Sequence, residues 1–146
     1  MSTERNKAIV RRFFEEVHNS GKIDRLDELM VADYVNHDPS LPPELRRGRD
    51  AHRQLVLVFR GAFPDARGTI EDLIAEGDKV AARGTFRGTH HGELMGIPPT
   101  GKQVAFTWIH IYRIADGKLV EQWSVFDQMG LMQQLGVIPA PGQGGG

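Results

Sequence analysis

An Asp116-Gly117 pair lies between two β-like runs, Gln103–Ile114 and Lys118–Asp127, and limits the fold more than any other feature. Asp-Gly suits a type I′ turn, in which two residues join two antiparallel strands. With Ala115 opposite Lys118, the register predicts Tyr112 against Glu121, His110 against Trp123, Trp108 against Val125 and Phe106 against Asp127. Side chains two apart share a face of a strand. One face is therefore expected to carry Phe106, Trp108, His110, Tyr112, Glu121, Trp123, Val125 and Asp127. An aromatic surface with a few titratable groups has the composition of a ligand pocket. The opposite face, with Ile109, Ile111, Val120 and Phe126, is also partly apolar and suits a dimer interface.

A second hairpin is expected where Glu76-Gly77-Asp78 separates Gly68–Ala75 from Lys79–Arg87. The first half of the chain reads as helical. Ile9, Val10, Phe13, Phe14 and Val17 recur at helical spacing after a Ser2 or Thr3 cap, and Gly21 suits the stop. A short helix follows Asp24. A third begins at Asp50, with Ala51, Leu55, Val58, Phe59 and Ala62 inward and Phe63-Pro64-Asp65 as its end. Between them Asp33–Pro39 is extended, and Leu41-Pro-Pro43 forces a loop. Helices followed by antiparallel hairpins define an α+β fold: about three N-terminal helices packed on one curved antiparallel sheet, forming a cone with an apolar interior. Residues 1–138 make one domain, and the Pro/Gly-rich tail 139–146 is expected to be flexible.

Lysine and arginine (18) nearly balance aspartate and glutamate (19), leaving a net charge of −1 and no electrostatic case for nucleic acid or an anionic membrane. No apolar run approaches the roughly 18 residues of a membrane span, and the N-terminus lacks a signal-peptide core. Cysteine is absent, which excludes disulfides, thiol catalysis and a cysteine zinc site. These features favour a soluble cytoplasmic protein. No i, i+4 histidine pair or HExxH pattern is present, so no metal or cofactor is expected.

The candidate site residues follow from the hairpin. Asp127 among apolar walls would have a raised pKa and could take a proton from carbon beside a carbonyl. The competing role is N-cap of a helix over Gln128–Leu135. His110 could donate a hydrogen bond to an enolate or carbonyl oxygen. It lies four residues from Asp127 in projection, on the order of 13 Å, so the two would touch different ends of one substrate. Trp108, Trp123 and Phe106 are expected as substrate walls, with Tyr34 and Phe59 beside them and His37 at the pocket mouth. His90 and His91 face opposite ways on a strand, so one at most points inward, and His90 is the choice. His18 and His52 read as solvated helix positions. Gly96-Ile-Pro-Pro-Thr-Gly101 lacks the Gly-Lys-Ser/Thr of a phosphate loop and suits a stiff lid.

Tyr34-Val-Asn-His-Asp-Pro39, Phe63-Pro-Asp65, Gly88-Thr-His-His-Gly-Glu93, Gly96-Ile-Pro-Pro-Thr-Gly-Lys102 and Glu121-x-Trp123-x-x-x-Asp127 together resemble the SnoaL-like polyketide (ester) cyclases of the NTF2-like superfamily, over roughly residues 4–136. The resemblance implies a cone-shaped α+β barrel, usually a homodimer. It implies ring closure of an aromatic polyketide by intramolecular aldol condensation without metal or cofactor, with a pocket aspartate as acid and base. On this sequence that role falls on Asp127, and His37, His90 and His110 match histidine positions of the motifs. Many relatives carry an acid directly after the Trp, where this chain has Ser124. The expected function is acid/base catalysis on a hydrophobic, carbonyl-containing small molecule. Two alternatives stay open: a binding protein without turnover, whose pocket needs the same lining, and an epoxide-hydrolase-like enzyme if Asp72 and Arg83 face inward beside Asp127.

Overall fold

The computed structural model describes residues 2–139. Of the tail expected to be flexible, all but Pro139 lies outside the described residues. Ser2 Oγ accepts from Arg5 N at 3.1 Å and opens α1 (Thr3–Arg12). The helix continues through Phe13–Asn19 as a wider π-helical turn and stops at Gly21, whose φ is 71°. Then follow α2 (Leu26–Leu29), β1 (Met30–Asn36), α3 (Arg49–Ala62), β2 (Arg67–Glu76), β3 (Lys79–Thr89), β4 (Gln103–Ala115), β5 (Lys118–Phe126) and α4 (Gln128–Leu135). Among the described residues no helix is long and apolar enough to cross a membrane.

The five strands form one sheet in the order β1-β5-β4-β3-β2. The α+β class and both hairpins are as expected, but the sheet is mixed and open rather than antiparallel and closed. Asp33–Asn36, read from the sequence as an extended connection, belongs to β1 and runs parallel to β5 with Val35 beside Glu121 and Asn36 beside Gln122. Its other edge meets the chain before α3, where Asn36 N donates to Arg46 O at 2.7 Å and Gly48 N donates to Tyr34 O at 2.6 Å. The concave face meets α1, its π-helical extension and α3. Phe13, Phe63, Tyr34 and Tyr112 are all at most 1% exposed there, and each such side chain contributes roughly 1.5–3 kcal/mol by burial.

The β4–β5 hairpin departs from its expected register. The turn behaves as predicted, with Ala115 opposite Lys118 and Ile114 opposite Leu119. The next pair is Arg113 with Glu121, so Val120 is an extra residue on β5. Such a bulge moves every later side chain of the strand to the other face. Tyr112 then meets Gln122, His110 meets Ser124, and Trp108 meets Phe126. The expected β4 face is correct. The β5 half is reversed: Gln122, Ser124 and Phe126 turn inward, while Glu121, Trp123 and Val125 turn outward.

Gly84 pairs with Trp108 across the β3–β4 ladder. A Cβ at Gly84 would lie 2.2 Å from Trp108 Cζ2 and 2.4 Å from Thr69 O. The missing side chain is what lets the indole lie flat over the sheet, where it forms part of the cavity floor.

Candidate active site

A cavity of about 350 Å³ opens between the sheet and the helices. The π-helical turn contributes Phe14 and His18, α3 contributes His52 and Phe59, and β4 contributes Phe106, Trp108 and His110. A π-turn is wider than an α-turn and brings residues four apart closer into line. Phe14 and His18 accordingly stack at 5.3 Å and both face the cavity. Phe14 also stacks on Trp108 at 4.8 Å with 5° between planes, and Trp108 on His110 at 4.6 Å. Phe106 continues the wall by stacking on Phe86 at 4.7 Å.

Three histidines are set into this aromatic surface. His18 Nε2 and His52 Nε2 lie 3.4 Å apart. The Nδ1 atoms of His52 and His110 are buried without a hydrogen-bond partner among the described residues. Burial disfavours the imidazolium form. It pushes His110 down to about 3, helped by His18, and His18 down to about 4, helped by the Arg60 guanidinium. His52 is held well below the usual histidine value by burial, then by His18 and His110. All three rings are therefore neutral near pH 7. Arg60 is tied to the carbonyls of His18 and Asn19 at 2.9 and 3.0 Å, which fixes the end of the π-turn. Among the described residues no group of three or more His, Asp or Glu side chains is placed to hold a metal ion.

Two further polar features border the cavity. Tyr34 Oη donates to Gln122 Oε1 at 2.6 Å, and Gln122 Nε2 donates to Ser124 Oγ at 2.6 Å. Among the described residues Asp38 is the one carboxylate on the wall. Its Oδ1 accepts from Ser40 N and Ser40 Oγ at 2.9 and 2.7 Å.

The structure places the sequence-derived candidates in three groups. His110, Trp108, Phe106 and Phe59 line the cavity together. Tyr34 sits behind the wall, 1% exposed, and meets the lining through its hydrogen bond to Gln122 and its edge contact with the His52 ring at 5.7 Å. The rest lie elsewhere. Asp127 is exposed and caps α4, accepting from Gly130 N at 2.9 Å, so it is not the desolvated acid expected from the uninterrupted register. Trp123 lies on the outer sheet face, 37% exposed, and stacks on His37 at 5.1 Å. His37 bonds Glu121 there at 2.8 Å, and Arg113 Nε donates to the same carboxylate at 2.6 Å. The hydrogen bonds from Arg113 first and then His37 hold Glu121 below the usual carboxylate value. His90 is buried away from the cavity and clamps the long loop: its Nδ1 accepts from Thr100 N at 3.2 Å and lies 3.0 Å from Thr100 Oγ1. Asp72 and Arg83 pair at 2.7 Å on exposed positions of β2 and β3, so the inward acid–arginine arrangement of an epoxide-hydrolase-like site is not formed.

Sequence reasoning missed His18, His52 and Asp38. His52, Val56 and Phe59 repeat at i, i+4 and i+7, and all three line the cavity, so His52 carried a legible helical signal. His18 carried one too, lying four residues after Phe14 at helical spacing, in a segment the structure winds as a π-helical turn.

The buried histidines also set the acid stability. An unfolded histidine takes its proton near pH 6.5, whereas folded His18 and His110 resist it until about 4 and about 3. Stability is thus unaffected by them above pH 6.5 and falls as the pH drops through that window, by up to about 1.4 kcal/mol per pH unit per histidine. Urea midpoints measured from pH 8 to pH 4 should show this decline, and a His110→Phe variant should decline less steeply. A variant with the wild-type slope would contradict the assignment.

Comparison with known proteins agrees with this architecture. The family model described as SnoaL-like polyketide cyclase matches residues 8–135. Aklanonic acid methyl ester cyclase of Streptomyces peucetius is 34% identical over 135 residues, covering 88% of this chain and 88% of its own. Nogalonic acid methyl ester cyclase of Streptomyces nogalater is 34% identical over 119 residues, covering 81% and 88%. The structure of TsrD from Streptomyces laurentii superposes with a TM-score of 0.84 at 29% identity, covering 94% of this chain and 99% of that one. With a family model spanning most of its length and relatives of this similarity, the chain belongs to the SnoaL-like polyketide cyclase family.

Proposed function

We propose that the cavity closes a ring in a hydrophobic polycarbonyl compound by intramolecular aldol addition. The observation that carries this reading is the neutral His110 on an aromatic wall, its proton available to an oxygen that gains negative charge. In the reaction a carbon between two carbonyls loses a proton and becomes an enolate. That carbon bonds to the carbon of a further carbonyl group, and the resulting alkoxide regains a proton, so substrate and product are isomers. A neutral imidazole donor suits both oxyanions, because it stabilises charge without protonating it prematurely. Asp38, the one carboxylate on the wall, is the proton acceptor in this scheme. Flat aromatic neighbours such as Phe14 and Trp108 suit a fused-ring substrate, which fits relatives named for methyl esters of aklanonic and nogalonic acid.

Turnover of those two methyl esters, followed as a chromatographic shift without change of mass, tests the reading. His110→Leu should lower the rate by about 10²–10³, the usual cost of one oxyanion donor. Asp38→Asn should abolish the pH-dependent deprotonation step. Asp127→Asn should stay within about threefold, because Asn caps a helix as well as Asp does. An active His110→Leu enzyme beside an inactive Asp127→Asn enzyme would return the chemistry to Asp127.

The homodimer expected from the sequence has its best support on the outer sheet face. Ile74, Ala81, Ile111 and Trp123 are consecutive cross-strand partners there. Ile74 is 68% exposed, and neighbouring Ile109 and Val125 are 48% and 60% exposed. An apolar patch of this continuity marks an association surface. In this reading a second copy covers it. Sedimentation should give a dimer for the wild type and a monomer for Ile111→Lys; a monomeric wild type would remove the proposal.

A further inference from the structure

The histidine pair His18–His52 belongs to no expected part of the site, yet both rings line the cavity. Their Nε2 atoms are 3.4 Å apart, so one must donate and the other accept. The rest of His52 decides which. Its Nδ1 is buried with no partner among the described residues. If His18 donated, the His52 proton would sit on Nδ1 as a stranded buried N–H, the costlier of the two orphans. If His52 donates, that nitrogen carries only a lone pair. His18 Nε2 is then the acceptor, and the His18 proton is forced onto Nδ1. The same reasoning applies to His110, whose Nδ1 is also buried and unpartnered. Its proton belongs on Nε2. Neither His18 Nδ1 nor His110 Nε2 is among the buried unpartnered atoms.

We propose that His52 is a positioning residue that fixes His18 as its Nδ1–H tautomer, and that His18 and His110 present two neutral N–H donors to a ligand with two acceptor oxygens on one flat ring system. Both donor rings stack against Phe14, at 5.3 Å for His18 and 6.2 Å for His110, so the donors flank one aromatic surface. A poly-oxo aromatic presents oxygens in this way. A fully apolar ligand would leave both N–H groups unpaired, which a site built from donors rejects. Burial keeps the pair uncharged, so recognition is by hydrogen bonding rather than by attraction of an anion. The inference rests on the proposed polycarbonyl substrate for its ligand class, but the tautomer assignment stands without any turnover.

Two measurements test it. Long-range ¹H–¹⁵N NMR of the resting protein reads imidazole tautomers directly. The expected spectrum has His18 protonated on Nδ1 and His110 on Nε2. His52→Gln, which keeps a donor near Nε2, should preserve the His18 tautomer, and His52→Leu should return it to Nε2–H. A wild-type His18 protonated on Nε2, or a His52→Leu protein with unchanged His18, would overturn the assignment. Binding of 1,8-dihydroxyanthraquinone, followed by fluorescence, tests the ligand class. His18→Phe should weaken it about tenfold, the effect of one lost hydrogen bond, while His18→Asn should recover most of the affinity. Equal affinity in wild type and His18→Phe would overturn the donor role. Correct tautomers and binding with no turnover of the methyl esters would sink the cyclase reading alone.

Discussion

In the β4–β5 ladder the backbone takes in Val120 as an extra residue, so Ile114 pairs with Leu119 while Arg113 pairs with Glu121. The rest of the site depends on that insertion. An unbroken ladder would aim Glu121 at the interior, where an unpaired carboxylate costs several kcal/mol. With the bulge, Glu121 faces outward to Arg113 and His37, and Trp123 covers His37 beside it. Inward positions go to Gln122, Ser124 and Phe126, which are neutral. At the end of the strand Asp127 meets the start of α4 and caps it.

The interior that results holds polar groups but almost no charge. Tyr34, Gln122 and Ser124 satisfy one another in a short buried chain. His18, His52 and His110 sit among aromatic rings that keep them neutral. In so dry a setting a fixed dipole acts more strongly than it would in water. Such a surface can stabilise an enolate or alkoxide without the cost of burying a permanent charge. Among the described residues Asp38 alone brings a carboxylate to the wall, restrained by Ser40.

Much of this was legible in the sequence. Asp116-Gly117 located the hairpin turn, and period-two alternation put Phe106, Trp108 and His110 on one inward face. What failed was backbone irregularity. Val120 is an ordinary strand residue, and nothing in its chemistry announces a bulge. The outcome follows from the interior, since slipping by one residue exchanges Glu121 for Gln122. The π-helical turn over Phe13–Asn19 is equally silent. Asp127 was ambiguous for a definite reason: aspartate is both a good N-cap and a good base, and the residues after it had helical character. The long loop told a similar story, for His90 serves its own backbone at Thr100 rather than a ligand.

The most direct test of a cavity built on neutral donors is a crystal structure with a bound fused-ring polyketide product. The ring system should lie against Phe14 and Trp108, with an oxygen within hydrogen-bond distance of His110 Nε2 and Asp127 still bonded to Gly130 N. A ligand seated with its oxygen against Asp127, or on the outer face against Trp123, would contradict the account.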